Sequence, residues 1–194
     1  MSKVLIIGGG AAGMMAAVAA GENGHEVWLY EKNDRLGRKL FITGKGRCNI
    51  TNAGDMETLF ASVMSNPKFL YSSFYTFTND QVIDFFEELG VRTKIERGNR
   101  VFPLSDHSSD VIAGLKRKLE TLGVRICLET EVEKIEGKDG KFQAIVLKGG
   151  HRKTGDACIV ATGGISYPAT GSTGDGYRFA DRKSTRLNSS HIAR

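Results

Sequence analysis

The chain has 194 residues, 40% of them hydrophobic and 25% charged, with 24 glycines and 3 prolines, which suits one domain with a sizeable core and argues against disorder. The net charge of +5 comes mostly from the end of the chain, because residues 182–194 hold four basic residues and no acid and without them it falls to +1; this is a poor signature for nucleic-acid binding. No apolar run approaches the roughly 20 residues that span a bilayer, and three scattered cysteines and four scattered histidines provide neither a disulfide framework nor a metal set, as expected of a cytoplasmic protein.

Residues Lys3–Ile7, continuous aliphatics stopped by glycines, predict a buried strand, the run being too short for a signal peptide. Ala11–Gly24, rich in Ala and Met, predicts a helix closed by Gly24, and Glu26–Tyr30 a second strand. Strand, glycine turn, helix and strand make a βαβ unit, which requires parallel strands and a right-handed crossover. Asp34 to Asn52 reads as a Gly-, Lys- and Arg-rich loop with a short helical turn. Met56–Met64 and Pro67–Phe77 read as helical. Asn79–Leu89 places Val82, Phe85, Phe86 and Leu89 on one stripe, with Asn79 as its cap and Gly90 as its end.

Arg92–Glu96 and Arg100–Phe102 read as short strands. Ser108–Leu122 is a second clear helix, apolar along Val111, Ile112, Leu115, Leu119 and Leu122 and closed by Gly123. Val124–Leu128, Glu131–Glu136, Phe142–Leu147 and Asp156–Ala161 read as strands, with Gly137–Gly140 as a hairpin turn. From Gly176 a helix should begin, but residues 181–194 lose apolar periodicity and read as a non-native or disordered tail.

Gly8, Gly10 and Gly13 complete a G-x-G-x-x-G pattern. Alone that pattern is weak; here it follows a strand, opens a helix and is followed by an acid, Glu31, at the end of the next strand, the context a dinucleotide site requires. Gly8 permits the tight turn, Gly10 lets the backbone approach a pyrophosphate, and Gly13 lets helix and strand pack closely. The helix start at Ala11 and Ala12 offers free N–H groups and partial positive charge to that anion. The Glu31 carboxylate can accept ribose hydroxyls. A residue of this kind suits NAD as well as FAD, so an NAD-binding dehydrogenase without flavin, or a dinucleotide-binding fragment without activity, stays open at this point.

Beyond Glu31 the chain reads Leu36-Gly37-Arg38-Lys39-Leu40, then Ile42-Thr43-Gly44-Lys45-Gly46-Arg47-Cys48-Asn49-Ile50-Thr51-Asn52, later Val101-Phe102-Pro103, Ala161-Thr162-Gly163-Gly164-Ile165-Ser166-Tyr167-Pro168 and Thr170-Gly171-Ser172-Thr173-Gly174-Asp175-Gly176-Tyr177. Over residues 3–180 this ensemble resembles the BaiN/YhiN-like family of bacterial NAD(P)/FAD-dependent oxidoreductases. The resemblance implies an α/β fold with a Rossmann-like parallel sheet of the glutathione-reductase FAD-binding type, a β-meander and a helical insertion at about residues 55–122. It also implies a FAD-binding domain over residues 1–180 and a substrate domain absent from this sequence.

Bound FAD, NAD(P)H as electron donor and a small-molecule acceptor follow from the same resemblance, the acceptor being a steroid-like molecule with a reducible carbon–carbon double bond. Neither a nucleic acid nor a membrane is an expected partner, and the oligomeric state is open. The cofactor contacts it implies are Gly8, Gly10, Ala11, Ala12, Gly13, Glu31, Lys32, Arg38, Lys39, Thr43, Gly44, Arg47, Cys48, Asn49, Val132, Ala161, Thr162 and Gly163. The residues agree: Arg38, Lys39, Lys45 and Arg47, spaced by glycines, can bring positive charge and backbone donors to an anion. Val132 enters as the strand residue whose backbone meets the adenine in this type of domain, and Ala161–Gly164 end a strand where open α/β sheets bind ligands. No catalytic residue is named: Cys48 has no partner cysteine, and His107 and Tyr167 read as structural or exposed. Asp175 is not given a flavin contact, because in the family that contact comes from a segment beyond residue 194.

Overall fold

The computed structural model describes residues 1–181; the tail expected to depart from about Lys183 onward lies outside the described residues. In chain order come strand β1 (Lys3–Ile7), helix α1 (Ala11–Glu22), β2 (Glu26–Tyr30), α2 (Arg38–Ile42), β3 (Thr51–Asn52), α3 (Met56–Ala61), α4 (Tyr71–Thr76), α5 (Asn79–Glu88), β4 (Thr93–Glu96), β5 (Arg100–Pro103) and α6 (Ser108–Thr121). They are followed by β6 (Arg125–Cys127), β7 (Val132–Lys138), β8 (Lys141–Leu147), β9 (Arg152–Thr154), β10 (Ala157–Val160) and α7 (Asp175–Asp181). The chain divides into two compact units, one of Met1–Lys39 with the chain from Lys116 onward, the other Leu40–Leu115.

In the first unit, β1 lies between β10 and β2, β6 follows β2, and all these neighbours run parallel. This is the Rossmann-like α/β arrangement that the βαβ pattern predicts. Side chains alternate across a strand, so the sheet buries both faces. On one face Leu5, Ile7 and Tyr30 pack with Val132, Ile135, Ile145 and Leu147 and with Phe179 of α7. On the other lie Val4, Ile6, Val27 and Leu29. Helix α1 packs on β1 and β2 with Met14, Ala17 and Val18 buried. Each fully buried aliphatic here, Leu5, Ile6 and Leu29 among them at 0% exposure, contributes about 1.5–3 kcal/mol.

Strands β7, β8 and β9 form an antiparallel meander. The β7–β8 hairpin turns on Asp139 and Gly140, both at positive φ (52° and 75°), as a two-residue turn matching strand twist demands. The turn is thus shorter than the four residues read from the sequence. Strand β9, which the sequence does not signal, is polar and exposed throughout and exists only by pairing with β8. At the sheet's margin β10 pairs with β1 alone among the described residues, leaving Ile159 and Val160 37% and 41% exposed.

The second unit holds the antiparallel sheet β3-β5-β4, whose core is Val101, Phe102 and Pro103. Helix α5 begins with a capping box in which Thr78, not Asn79, is the cap: the Thr78 hydroxyl accepts from the Gln81 N–H and the Gln81 side chain accepts from the Thr78 N–H. Asn79 is instead the first helical residue, and its amide donates to the Asn52 and Gly54 carbonyls. A Thr three residues before a Gln satisfies two N–H groups reciprocally, an advantage Asn79 lacks. Gly90, at φ +76°, closes the helix as expected.

Candidate functional site

The carboxyl ends of β1, β2 and β10 converge. After β1 the chain turns at Gly8, whose φ of +107° is a glycine conformation and whose N–H donates to the Tyr30 carbonyl at 2.8 Å. A Cβ at Gly8 would lie 2.5 Å from the Ala161 carbonyl oxygen, and one at Gly13 would overlap the Gly8 carbonyl. These two positions are closed by backbone. Gly10 differs: a Cβ there meets nothing within 4 Å. Gly10 is also the N-cap of α1, with no side-chain cap and no acid in the first turn. The opening N–H groups of a helix have no intrahelical acceptor, so those of the exposed Ala11 and Ala12 and of the buried Gly13 lack a partner within α1.

Glu31 stands beside this turn at the end of β2, 7% exposed. One carboxylate oxygen accepts the Gly9 N–H at 2.6 Å, the other the Asn33 N–H at 2.8 Å and the Asn33 amide at 2.6 Å. A carboxylate has about four acceptor positions, so three protein donors leave one for a ligand hydroxyl. Among the other candidates in this unit, Lys32 donates to Thr173 and Asp175, both at 2.7 Å. Arg38 donates to the Asn33 side-chain oxygen at 2.8 Å, and Lys39 to the Ser166 carbonyl at 2.7 Å. Burial pushes the Asp175 carboxyl up, but Lys32, Thr173 and Arg178 outweigh it and hold the carboxyl below its usual range.

Ala161 continues β10, its N–H donating to the Ile7 carbonyl at 2.8 Å. Thr162 and Gly163 follow at the same edge, Gly163 at φ +73°. Val132 is buried at the start of β7, just before a shift of register against β8. An open cleft of about 360 Å³ adjoins Lys32, lined also by Glu129, Thr130, Glu131, Leu147, Lys148 and His151. Its floor is tied to β2, since the Thr130 N–H donates to the Glu31 carbonyl and the Glu129 N–H to the Asn33 carbonyl, both at 2.9 Å.

Five candidates lie in the second unit. Arg47 pairs with Glu96 at 2.8 Å and Asp106 at 3.2 Å, and its guanidinium stacks 4.1 Å from the Phe102 ring centroid. Thr43 donates to the Leu40 carbonyl, and Gly44 sits at φ +56° against the Asn49 N–H and the Phe102 ring. The Asn49 amide, with its NH2 turned toward them, donates to the Thr51 and Val101 carbonyls. Cys48 is 1% exposed, and burial pushes its thiol pKa up against a hydrogen bond to Thr43; that makes it a poor nucleophile. Asn33, absent from the expected contacts, also belongs to the site: its side chain bonds Glu31, Arg38 and the Thr170 carbonyl. Its only signal is position, two residues beyond the acid.

Among the described residues no helix is long and apolar enough to cross a membrane, and no group of His, Cys, Asp and Glu is placed to hold a metal. The HI0933-like protein Rossmann domain family matches residues 2–190, and the chain belongs to that family. A 3-dehydro-bile acid delta(4,6)-reductase from Clostridium scindens is 34% identical over 184 residues, covering 93% of this chain and 43% of that protein. A ribosomal RNA dihydrouridine synthase from Haemophilus influenzae is 30% identical over 184 residues, covering 93% and 45%. The chain thus spans less than half the length of these relatives. A chain of the Mycobacterium smegmatis Sdh1 complex superposes with a TM-score of 0.64 at 22% identity, over 84% of this chain and 34% of that one, and shares its fold.

Proposed function

We propose that this member of the HI0933-like family binds FAD at the carboxyl edge of its parallel sheet and forms the cofactor domain of an oxidoreductase that reduces a carbon–carbon double bond conjugated to a carbonyl. The observation that carries the reading is the capless start of α1, with open space before Gly10 and the buried Glu31 beside it. An anion with sugar hydroxyls fits that combination, and a dinucleotide supplies both. The N–H groups of Ala11, Ala12 and Gly13 would hold the pyrophosphate, and Glu31 its adjoining ribose. The cleft beside Lys32 and Glu131 is of a size and position to take the adenine, next to the backbone of Val132. Ala161, Thr162 and Gly163 border the cradle from β10.

A bound flavin supplies the hydride chemistry, and the protein supplies binding, orientation and exclusion of water. NAD(P)H is the donor in this proposal, on the family resemblance. The acceptor class rests on the two named relatives. A 3-oxo compound with delta(4,6) unsaturation and a uracil ring share a carbon–carbon double bond conjugated to a carbonyl, which accepts hydride at the far carbon. A steroid-like acceptor is the first reading, since the bile-acid enzyme has 34% identity; a uridine in RNA is the second, carried by the synthase at 30%. The test is equilibrium titration of the purified chain with FAD and, separately, NAD, followed by flavin absorbance and fluorescence quenching. Saturable FAD binding that outcompetes NAD is expected; NAD binding with no uptake of FAD overturns the proposal.

A further inference from the structure

After β10 the chain runs from Gly163 to Asp175 along the carboxyl edge of the sheet, from the end of β10 to the end of β2. Side chains that flank Glu31 pin it there. The Asn33 amide reaches the Thr170 carbonyl at 3.4 Å while donating to Glu31 at 2.6 Å. A Cβ on Gly171, which has φ +98°, would come within 2.6 Å of the same Asn33 nitrogen, so the segment abuts that amide with no room for a side chain. Lys32 holds Thr173 and Asp175, and Lys39 holds the Ser166 carbonyl. The segment is also closed on itself, by the Gly174 N–H on the Gly164 carbonyl at 3.1 Å and by Ser172, 7% exposed, whose hydroxyl leaves no room for a Cβ on Gly163.

We propose that residues 163–175 form a strap whose seating is coupled to dinucleotide occupancy through Asn33, a positioning residue that touches both the ribose-gripping carboxylate and the strap; this rests on the cofactor reading above. One amide nitrogen serves Glu31 and faces Thr170 and Gly171, and its oxygen accepts from Arg38. A ligand hydroxyl drawn to Glu31 orders the carboxylate, the carboxylate orders Asn33, and Asn33 fixes the backbone of the strap. Removal of the amide leaves the Glu31 carboxylate one donor short and the strap without its central tie, while Gly10 and the α1 terminus are untouched.

The test is hydrogen exchange read by mass spectrometry on the 194-residue chain, with and without FAD, beside FAD titration. In the unaltered chain FAD should slow exchange in peptides covering 163–175. Asn33→Ala should raise the Kd for FAD by about tenfold, the scale of one hydrogen bond to a charged group. At saturating FAD this variant should lose the slowing in 163–175 while keeping it at the glycine turn, a separation that general loosening of the fold would not produce. Should Asn33→Ala fail to fold, Lys32→Ala and Lys32→Arg serve in its place, the first expected to free the strap and the second to restore it. Uptake of no FAD by the unaltered chain sinks the cofactor reading and the coupling together. FAD binding that leaves 163–175 unprotected, or that is equally tight without the Asn33 or Lys32 side chain, sinks the coupling alone.

Discussion

Gly10 and Gly13 are separated by less than one turn of α1, yet substitution at the two should fail for opposite reasons. Gly10 has φ −81° and nothing within 4 Å of an added Cβ, so its replacement by Ala is sterically free in the protein alone. The poorer helix cap costs up to about 1 kcal/mol, and the stiffer unfolded chain returns roughly 0.4–1 kcal/mol. The net change is within about 1 kcal/mol, or a Tm shift of roughly 2–4 °C for a chain of this size. Yet the new side chain projects into the open space before α1, where the proposed function puts the pyrophosphate. Displacing it from two N–H groups, at about 1.5–3 kcal/mol for each hydrogen bond to a charged group, weakens FAD binding by at least about 100-fold. Gly13→Ala, whose methyl overlaps the Gly8 carbonyl, should instead damage the fold itself. Calorimetry and FAD titration on Gly10→Ala, Gly10→Val and Gly13→Ala separate the two effects. FAD affinity within threefold of the original in Gly10→Val would show that no phosphate rests on this helix, and the cofactor assignment would go with it.

Three other outcomes are expected. Glu31→Gln turns an acceptor of three N–H groups into one that must present its own NH2 to a donor, costing about 1–3 kcal/mol; an unchanged urea midpoint would contradict this network. Hydrogen bonds from Arg47 and Lys94 hold the Glu96 and Asp106 carboxyls below their ordinary 4.5 and 3.8. A depressed folded-state pKa gives stability that is complete above those ordinary values and is lost as pH falls through the folded ones. The urea-midpoint gap between the original chain and Glu96→Gln should therefore be constant near neutrality and close in acid below about pH 4; a gap that widens in acid would reverse the assignment. Burial raises the thiol of Cys48 and pushes that of Cys158 up to about 12, so neither should react with a disulfide reagent at about pH 8 until the chain unfolds; fast native labelling of Cys48 would refute its burial.

The first βαβ unit was legible because every level of its sequence agrees: aliphatic run, glycine turn, small-residue helix, second strand and terminal acid. The stripes of α5 and α6 were legible for the same reason. Strand β9 was not, because Arg152–Thr154 has no apolar face and takes its structure from β8. Strand β3 is two residues long, too short for any periodicity. The compact unit Leu40–Leu115 starts inside the glycine-rich loop, where Gly44, Lys45 and Cys48 all turn at positive φ and no composition change marks a boundary. At the site, the glycines and Glu31 announced themselves by spacing. Asn33 did not, since its importance lies in contacts with residues up to 137 positions away.

The exposed rim of β10 bears on how such a sheet can grow. Its outer backbone groups face away from the glycine turn, with β10 itself standing between, and Ile159 and Val160 offer apolar surface to an incoming segment. A further parallel strand could dock there and widen the sheet without moving Gly8, Gly10 or Glu31. The glycine turn and Glu31 follow the two inner strands, β1 and β2, so the architecture admits lateral additions while the carboxyl edge between them stays as it is.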